Sequence, residues 1–198
     1  PAIISTGMAT LAEIDEAVRA FREVSETPFA LLKCTSAYPA PAEEMNLKTI
    51  PNLRDAFSCP VGLSDHTLGI SVPIGAVAIG ASIIEKHLTL SRANESLDSN
   101  FSLEPEEFGV MVESVRTIEK ALGKVAYFSG GKESQSVMFR RSLFVVEDMK
   151  ANEEFTEDNI RSIRPAYGLH PRHMNDLLGR HAVKDIDRGT PLQWDLVA

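Results

Sequence analysis

Two short runs, "GLSDH" (62–66) and "IIEKH" (83–87), are mostly apolar, and each ends in an imidazole close to a carboxylate. Strand periodicity puts Gly62, Ser64 and His66 on one face, with Leu63 and Asp65 on the other. It likewise groups Ile83, Glu85 and His87. If the two runs are parallel neighbours in a barrel, His66 and His87 converge at the carboxyl-end rim, where such barrels collect their catalytic groups. Two imidazoles without a thiolate suit a borderline or hard divalent ion such as Mn²⁺ or Zn²⁺, with water or substrate oxygens in the remaining positions. The competing reading makes each ring a core residue bonded to a backbone carbonyl. Ligating imidazoles must be neutral, so activity should fall as pH drops through their titration.

Other polar groups gather at the same kind of position. Ser5, Thr6, Thr35, Ser36 and Ser64 stand at strand ends, where hydroxyls and free amides suit a phosphate or carboxylate, or simply form turns. Tyr38, in "SAYPAP", either lines a pocket or staples its loop. The polar stretch "SRANESLDSNFSLEP" (91–105) has the length of a functional rim loop. Within it Asp98 is a candidate acceptor for sugar hydroxyls, or a solvated carboxylate. Arg161 and Arg164 in "NIRSIRPAYGLHP" can fork onto a carboxylate or amide oxygen, or serve as surface ion-pair partners. No GxGxxG, Walker loop, HExxH, GxSxG or CxxC occurs. Nucleotide binding, zinc proteolysis and serine hydrolysis therefore have no support.

The elements that would position these groups alternate. Apolar strands are predicted at 3–6, 29–36, 60–65 and 82–90. Between them, helical spacing runs from Leu11 to Arg22, over 46–57 and over 70–80. Thr10 and Glu13 form a capping box for the first helix. Pro51 either kinks the second or starts its well-formed part. Pro105 opens a long amphipathic helix that Gly123 ends. The order β-α-β-α-β-α-β-loop-α predicts parallel strands with crossover helices, apolar enough to be covered on both faces. Residues 123–138 read as a Gly- and Ser-rich linker, and 139–198 as a compact, mostly-β module.

The bulk numbers narrow the function classes. The chain has 198 residues and a net charge of −8, which argues against nucleic acid as a partner. No stretch approaches the roughly 20 apolar residues a membrane span requires. Two cysteines, Cys34 and Cys59, form no disulfide framework, and a reducing, cytoplasmic setting is expected. The opening "PAIISTGMAT" enters a strand at once, which suggests a cut inside a larger protein.

The motifs "STGMAT", "CTSAYPAP", "GLSDHTLG", "IEKHLTLSR", "FSLEP", "RRSLFV" and "RSIRPAYGLHP" occur in the order and spacing of the sialic acid synthase family, and the chain resembles that family throughout. Its members condense phosphoenolpyruvate with an open-chain amino sugar to make nonulosonic acids. "LLKCTSAYPAP", "SRANESLDSNFSLEP" and "IRPAYGLHP" look most like the branch that makes pseudaminic acid. That branch takes a 2,4-diacetamido-2,4,6-trideoxy hexose of L-altrose type. N-acetylneuraminate-forming relatives usually carry Gly-Pro-Asp where this chain has Ser96-Leu97-Asp98. The legionaminate branch is a further alternative.

The resemblance implies an α/β fold: the C-terminal half of a (β/α)₈ TIM barrel (1–122, strands five to eight), the linker, and a SAF (antifreeze-like, β-clip) domain at 139–198. It implies His66 and His87 as metal ligands and as part of the catalytic set with Asp98. The metal would be Mn²⁺ first, with Mg²⁺ or Co²⁺ as alternatives. Ser5, Ser36 and Ser64 match phosphate contacts, and Tyr38 and Asp98 match positions near the sugar. Phe139 and Arg164 match small-domain positions that reach the partner's active site in a homodimer with exchanged SAF domains. Ala166 replaces a Gly that many relatives carry. A half barrel has two raw strand edges, so the chain by itself is expected to be inactive. A non-catalytic carbohydrate-binding protein and an inert truncated product are the readings from other classes.

Overall fold

The computed structural model describes residues 1–94, 96–127 and 130–198. The chain divides into two units, Pro1–Lys124 and Val125–Ala198.

The first unit holds four strands: β1 (Ala2–Ser5), β2 (Phe29–Cys34), β3 (Val61–Asp65) and β4 (Ile84–Lys86). They pair in the order β1-β2-β3-β4, all parallel. A doubly wound sheet would reverse its order part-way. This one runs monotonically, which is the arrangement of half a (β/α)₈ barrel. The connections are α1 (Leu11–Val24), α2 (Thr49–Phe57) and α3 (Ser71–Ala78), and α4 (Pro105–Leu122) closes the unit.

Local rules explain these elements. The Thr10–Glu13 capping box is present, with Glu13 Oε2 accepting from the Thr10 amide at 2.7 Å. These hydrogen bonds hold the Glu13 carboxyl below its usual range. Pro51 is the third residue of α2, where its missing N–H breaks no helical bond. In α4, Pro105 follows Glu104, which forms a capping box with Glu107. Burial of Ile14 and Val18 from α1, and Ile50, Leu53 and Phe57 from α2, joins Leu31, Val61 and Leu63 of the sheet in one apolar cluster. At about 25 cal/mol per Å² of apolar surface, this is the dominant force holding helices to sheet.

Two expectations need correction. The strand expected over 82–90 is regular only over Ile84–Lys86, beyond which Leu88 forms an isolated parallel bridge to Leu103. Coverage of both faces holds only for the central strands. β3 is buried throughout, whereas β1 alternates and leaves Ile3 59% exposed. The reason is positional: β1 and β4 are the edges of this sheet, and among the described residues the helices cover one face.

The second unit pairs β5 (Ser142–Val145) with β6 (Ile160–Ile163) antiparallel. Its core gathers Leu143, Val145, Phe155, Ile160, Leu177 and Leu192, and it carries a four-residue helix, α5 (Met174–Leu177). Gly168 permits close backbone approach here, since a Cβ would lie 2.2 Å from the Leu143 carbonyl oxygen. The stretch read as linker contains a run of 3₁₀ turns, Gly131–Phe139.

Candidate active site

The strand register assembles a polar row on the face away from the helices. Ser5 pairs with Leu32, Leu32 with Gly62, Cys34 with Ser64, and Ser64 with Glu85. Partners in a parallel ladder project to the same side. Ser64 is 2% exposed and donates its hydroxyl to Glu85 Oε1 at 2.6 Å. Gly62 has no room for a side chain: a Cβ would lie 2.4 Å from the Ile83 carbonyl oxygen and 2.7 Å from Leu32 Cδ2. That close approach lets β4 lie against β3 and brings the strand ends together.

The histidines meet there, with ring centroids 5.2 Å apart. His66 is 5% exposed, and its Nδ1 lies 2.9 Å from the Thr35 carbonyl oxygen. A carbonyl only accepts, so Nδ1 carries the proton and Nε2 keeps its lone pair free. His87 Nδ1 lies 3.7 Å from Asp98 Oδ2, longer than a hydrogen bond. The core-residue reading of His66 had the right carbonyl bond. That bond leaves the other nitrogen available, so the two readings are compatible.

Aromatic rings wall the pair. Tyr38 lies 4.3 Å from His66 between centroids, and Phe101 lies 4.9 Å from His87. The turn carrying Tyr38 is pinned by the Ala40 amide donating to the His66 carbonyl at 2.9 Å. Asp98 is positioned by its loop. Ser102 Oγ donates to the Asp98 carbonyl at 2.7 Å, and Ser99 Oγ to that of Ser96 at 2.9 Å. The Arg92 guanidinium grips Glu107 of α4, with Nη2–Oε1 at 2.8 Å, and the Arg92 amide donates to Glu104 at 2.7 Å. The Arg92 fork, followed by the Glu104 amide, pulls the Glu107 carboxyl down to about 2.

Thus His66, His87, Asp98, Tyr38 and Ser64 come together, and Ser5 and Ser36 stand at the ends of the neighbouring strands β1 and β2. Ser36 Oγ lies 3.8 Å from Cys34 Sγ. Phe139 and Arg164 belong to the second unit and are exposed there. Sequence reasoning placed Glu85 on the His87 face without giving it a role. It also missed Phe101 and the ion pair between Lys86 and Asp65, whose atoms Nζ and Oδ2 lie 2.6 Å apart with both side chains fully buried. On the helix side, Lys33 donates to the Cys34 carbonyl at 3.1 Å, and burial lowers its pKa.

The donor set fits a weakly caged divalent ion. No group of three or more His, Cys, Asp or Glu side chains among the described residues could enclose one. His66 and His87, with ring centroids 5.2 Å apart, are two nitrogen donors of the kind a divalent ion accepts.

Residues 1–127 match the model of the NeuB family and residues 140–198 that of the SAF domain. The chain belongs to the NeuB family. It is 46% identical over 193 residues to a pseudaminic acid synthase of Campylobacter jejuni, covering 98% of this chain and 56% of that protein. It is 40% identical to an N,N'-diacetyllegionaminic acid synthase of the same species, covering 92% of this chain and 56% of the relative. The crystal structure of a spore coat polysaccharide biosynthesis protein from Bacillus subtilis superposes with a TM-score of 0.60 at 33% identity, covering 100% of this chain and 61% of that one. The NeuB-family chain thus spans a little over half the length of these relatives. No described helix is long and apolar enough to cross a membrane.

Proposed function

We propose that this chain carries the metal-binding half of a nonulosonic acid synthase. That enzyme would join phosphoenolpyruvate and water to an open-chain 2,4-diacetamido-2,4,6-trideoxy hexose of L-altrose type, giving pseudaminic acid and phosphate. The observation that carries it is the convergence of His66 and His87, 5.2 Å apart, beside the Ser64–Glu85 pair at the carboxyl ends of adjacent parallel strands. The choice of acceptor rests on the higher identity to the pseudaminic acid synthase, 46% against 40% for the legionaminic relative.

His66, through Nε2, and His87 would hold a divalent cation, Mn²⁺ in preference to Mg²⁺ or Co²⁺. Bound there, it would supply Lewis acidity at the acceptor's aldehyde oxygen. The chain's own groups do the rest. Ser5, Ser36 and the β3 end bind the phosphate of phosphoenolpyruvate through hydroxyls and amides. This fixes its C3 toward the aldehyde carbon, and orientation of this kind accounts for a large part of such rate enhancements. The new C–C bond turns the aldehyde oxygen into an alkoxide, which gains a proton to become a sugar hydroxyl, and leaves an oxocarbenium at C2, to which water adds. Glu85, held by Ser64, takes the water's proton. The C2–O bond to phosphate then breaks, phosphate leaving with the electron pair and taking up the proton that the C2 hydroxyl gives up, so that C2 becomes a ketone. Tyr38 and Phe101 exclude bulk water, and Asp98 holds acceptor hydroxyls. In this reading, Phe139 and Arg164 complete the acceptor site of the partner subunit in a homodimer with exchanged SAF domains, and the enzyme acts in the cytoplasm.

The test is sugar-dependent phosphate release by the full-length protein. It is treated with chelator, supplied with Mn²⁺, and offered the pseudaminate, legionaminate and neuraminate precursors in turn. Preference for the first supports the assignment, and preference for another reassigns the branch. Release that is absent with all three sugars, or unaffected by chelation, overturns the proposal.

A further inference from the structure

The ion pair behind the histidines is built in an unusual way. Lys86 and Asp65 are fully buried on the helix side of the sheet, with Nζ and Oδ2 2.6 Å apart. The other Asp65 oxygen accepts from the Thr67 amide at 3.1 Å and from the Thr67 hydroxyl at 2.9 Å. Lys86 Nζ also donates to the Thr67 carbonyl. One ammonium is therefore bonded to the residue before His66 and to the residue after it. That ammonium belongs to the residue immediately before His87.

Burying two charges is a poor way to gain stability, because their desolvation offsets most of the attraction. Apolar residues would hold β3 against β4 at least as well, and Leu63 and Ile84 already do so one step earlier in the register. What an apolar pair cannot do is fix distance and orientation at once. The Lys86 hydrogen bonds tie both flanks of His66 to the backbone of His87.

We propose that Lys86, Asp65 and Thr67 form a spacing clamp that sets the separation of the two imidazoles for one divalent cation. All three are positioning residues, and the inference rests on the metal site proposed above. Groups bonded to metal-binding histidine rings typically contribute about 10- to 100-fold in metal affinity or activity; the clamp holds the residues flanking the ligands, not the rings, so the lower end of that range is expected. The clamp acts on both ligands together, so its loss should weaken binding without removing either ring.

The experiment measures Mn²⁺ affinity in the full chain by the electron paramagnetic resonance signal of free Mn²⁺. The variants are the charge-neutral double Asp65→Asn/Lys86→Met, the milder Thr67→Val, and Leu53→Ala, a core change in α2. The expected result is a dissociation constant raised about tenfold in the double variant and by a smaller factor in Thr67→Val. Leu53→Ala should lower the melting temperature and leave Mn²⁺ affinity unchanged. A folded double variant that binds Mn²⁺ within twofold of the unaltered protein overturns the clamp. Should the double variant not fold, unchanged affinity in Thr67→Val overturns it. An unaltered protein that binds no Mn²⁺ removes the metal site itself, an outcome separate from the other two.

Discussion

Gly62→Ala tests the strand packing that brings the histidines together. The added Cβ would sit 2.4 Å from the Ile83 carbonyl oxygen and 2.7 Å from both Ile83 Cβ and Leu32 Cδ2. Ordinary contact begins at 3.4 Å, so the backbone at Ile83 must retreat by the difference, about 1 Å. That carbonyl accepts the Leu63 amide at 2.9 Å, and the retreat stretches this bond out of range. β4 has only three regular residues and no described strand beyond it. It therefore yields more easily than β2, and His87 moves with it away from His66. Overpacking of this size costs about 1–3 kcal/mol. For a chain of this length that lowers the melting temperature by roughly 2–12 °C. A displacement near 1 Å at the reacting groups costs on the order of 100-fold in rate. Calorimetry and kcat on the full-length protein read both effects. A Gly62→Ala protein that keeps its melting temperature and kcat would refute the argument that close β3–β4 packing sets the histidine spacing.

The other predictions follow from single contacts. Glu85→Gln keeps the shape and the Ser64 bond but cannot take a proton, so kcat should fall about 10²- to 10⁴-fold with unchanged phosphoenolpyruvate affinity; steady-state kinetics checks this. Tyr38→Ala should lower kcat/KM about tenfold by removing the ring tilted against His66, while Tyr38→Phe should behave as the unaltered protein. Glu107 has its pKa depressed to about 2 in the folded state, against 4.5 for the free group. Its contribution is therefore complete above pH 4.5 and lost as pH falls toward 2. The melting-temperature gap between the unaltered protein and Glu107→Gln should be present at pH 6 and close by pH 2. Phe155→Ala in the second unit should cost about 3–5 kcal/mol, seen as faster amide exchange at Leu143 and Val145 with exchange in β2 and β3 unchanged.

The histidine pair was legible because strand periodicity is strict: once 62–66 and 83–87 are parallel neighbours, the faces of their side chains follow. The α1 cap was legible for a similar reason, since Thr10 and Glu13 need only each other. Lys86 and Asp65 were not. They are 21 positions apart, and either charge alone looks like a rim residue pointing to water. Their pairing depends on a register that only the folded sheet defines. The brevity of β4 was hidden as well, because Leu88 and Leu90 continue the apolar pattern while the backbone leaves the ladder to meet Leu103. The 3₁₀ turns at Gly131–Phe139 lie in a stretch whose Gly and Ser content signals flexibility, and composition says nothing about such local turns.

The loop bearing Asp98 is tied to the rest of its unit near both ends. At one end Arg92 holds Glu104 and Glu107; at the other Leu103 bonds to the His87 carbonyl and Phe101 is buried. Between them Ser99 is buried in a short 3₁₀ turn, Ser99–Phe101, while Leu97 is almost fully exposed. A change at the exposed Leu97 would therefore leave the paired rings of His66 and His87 in place.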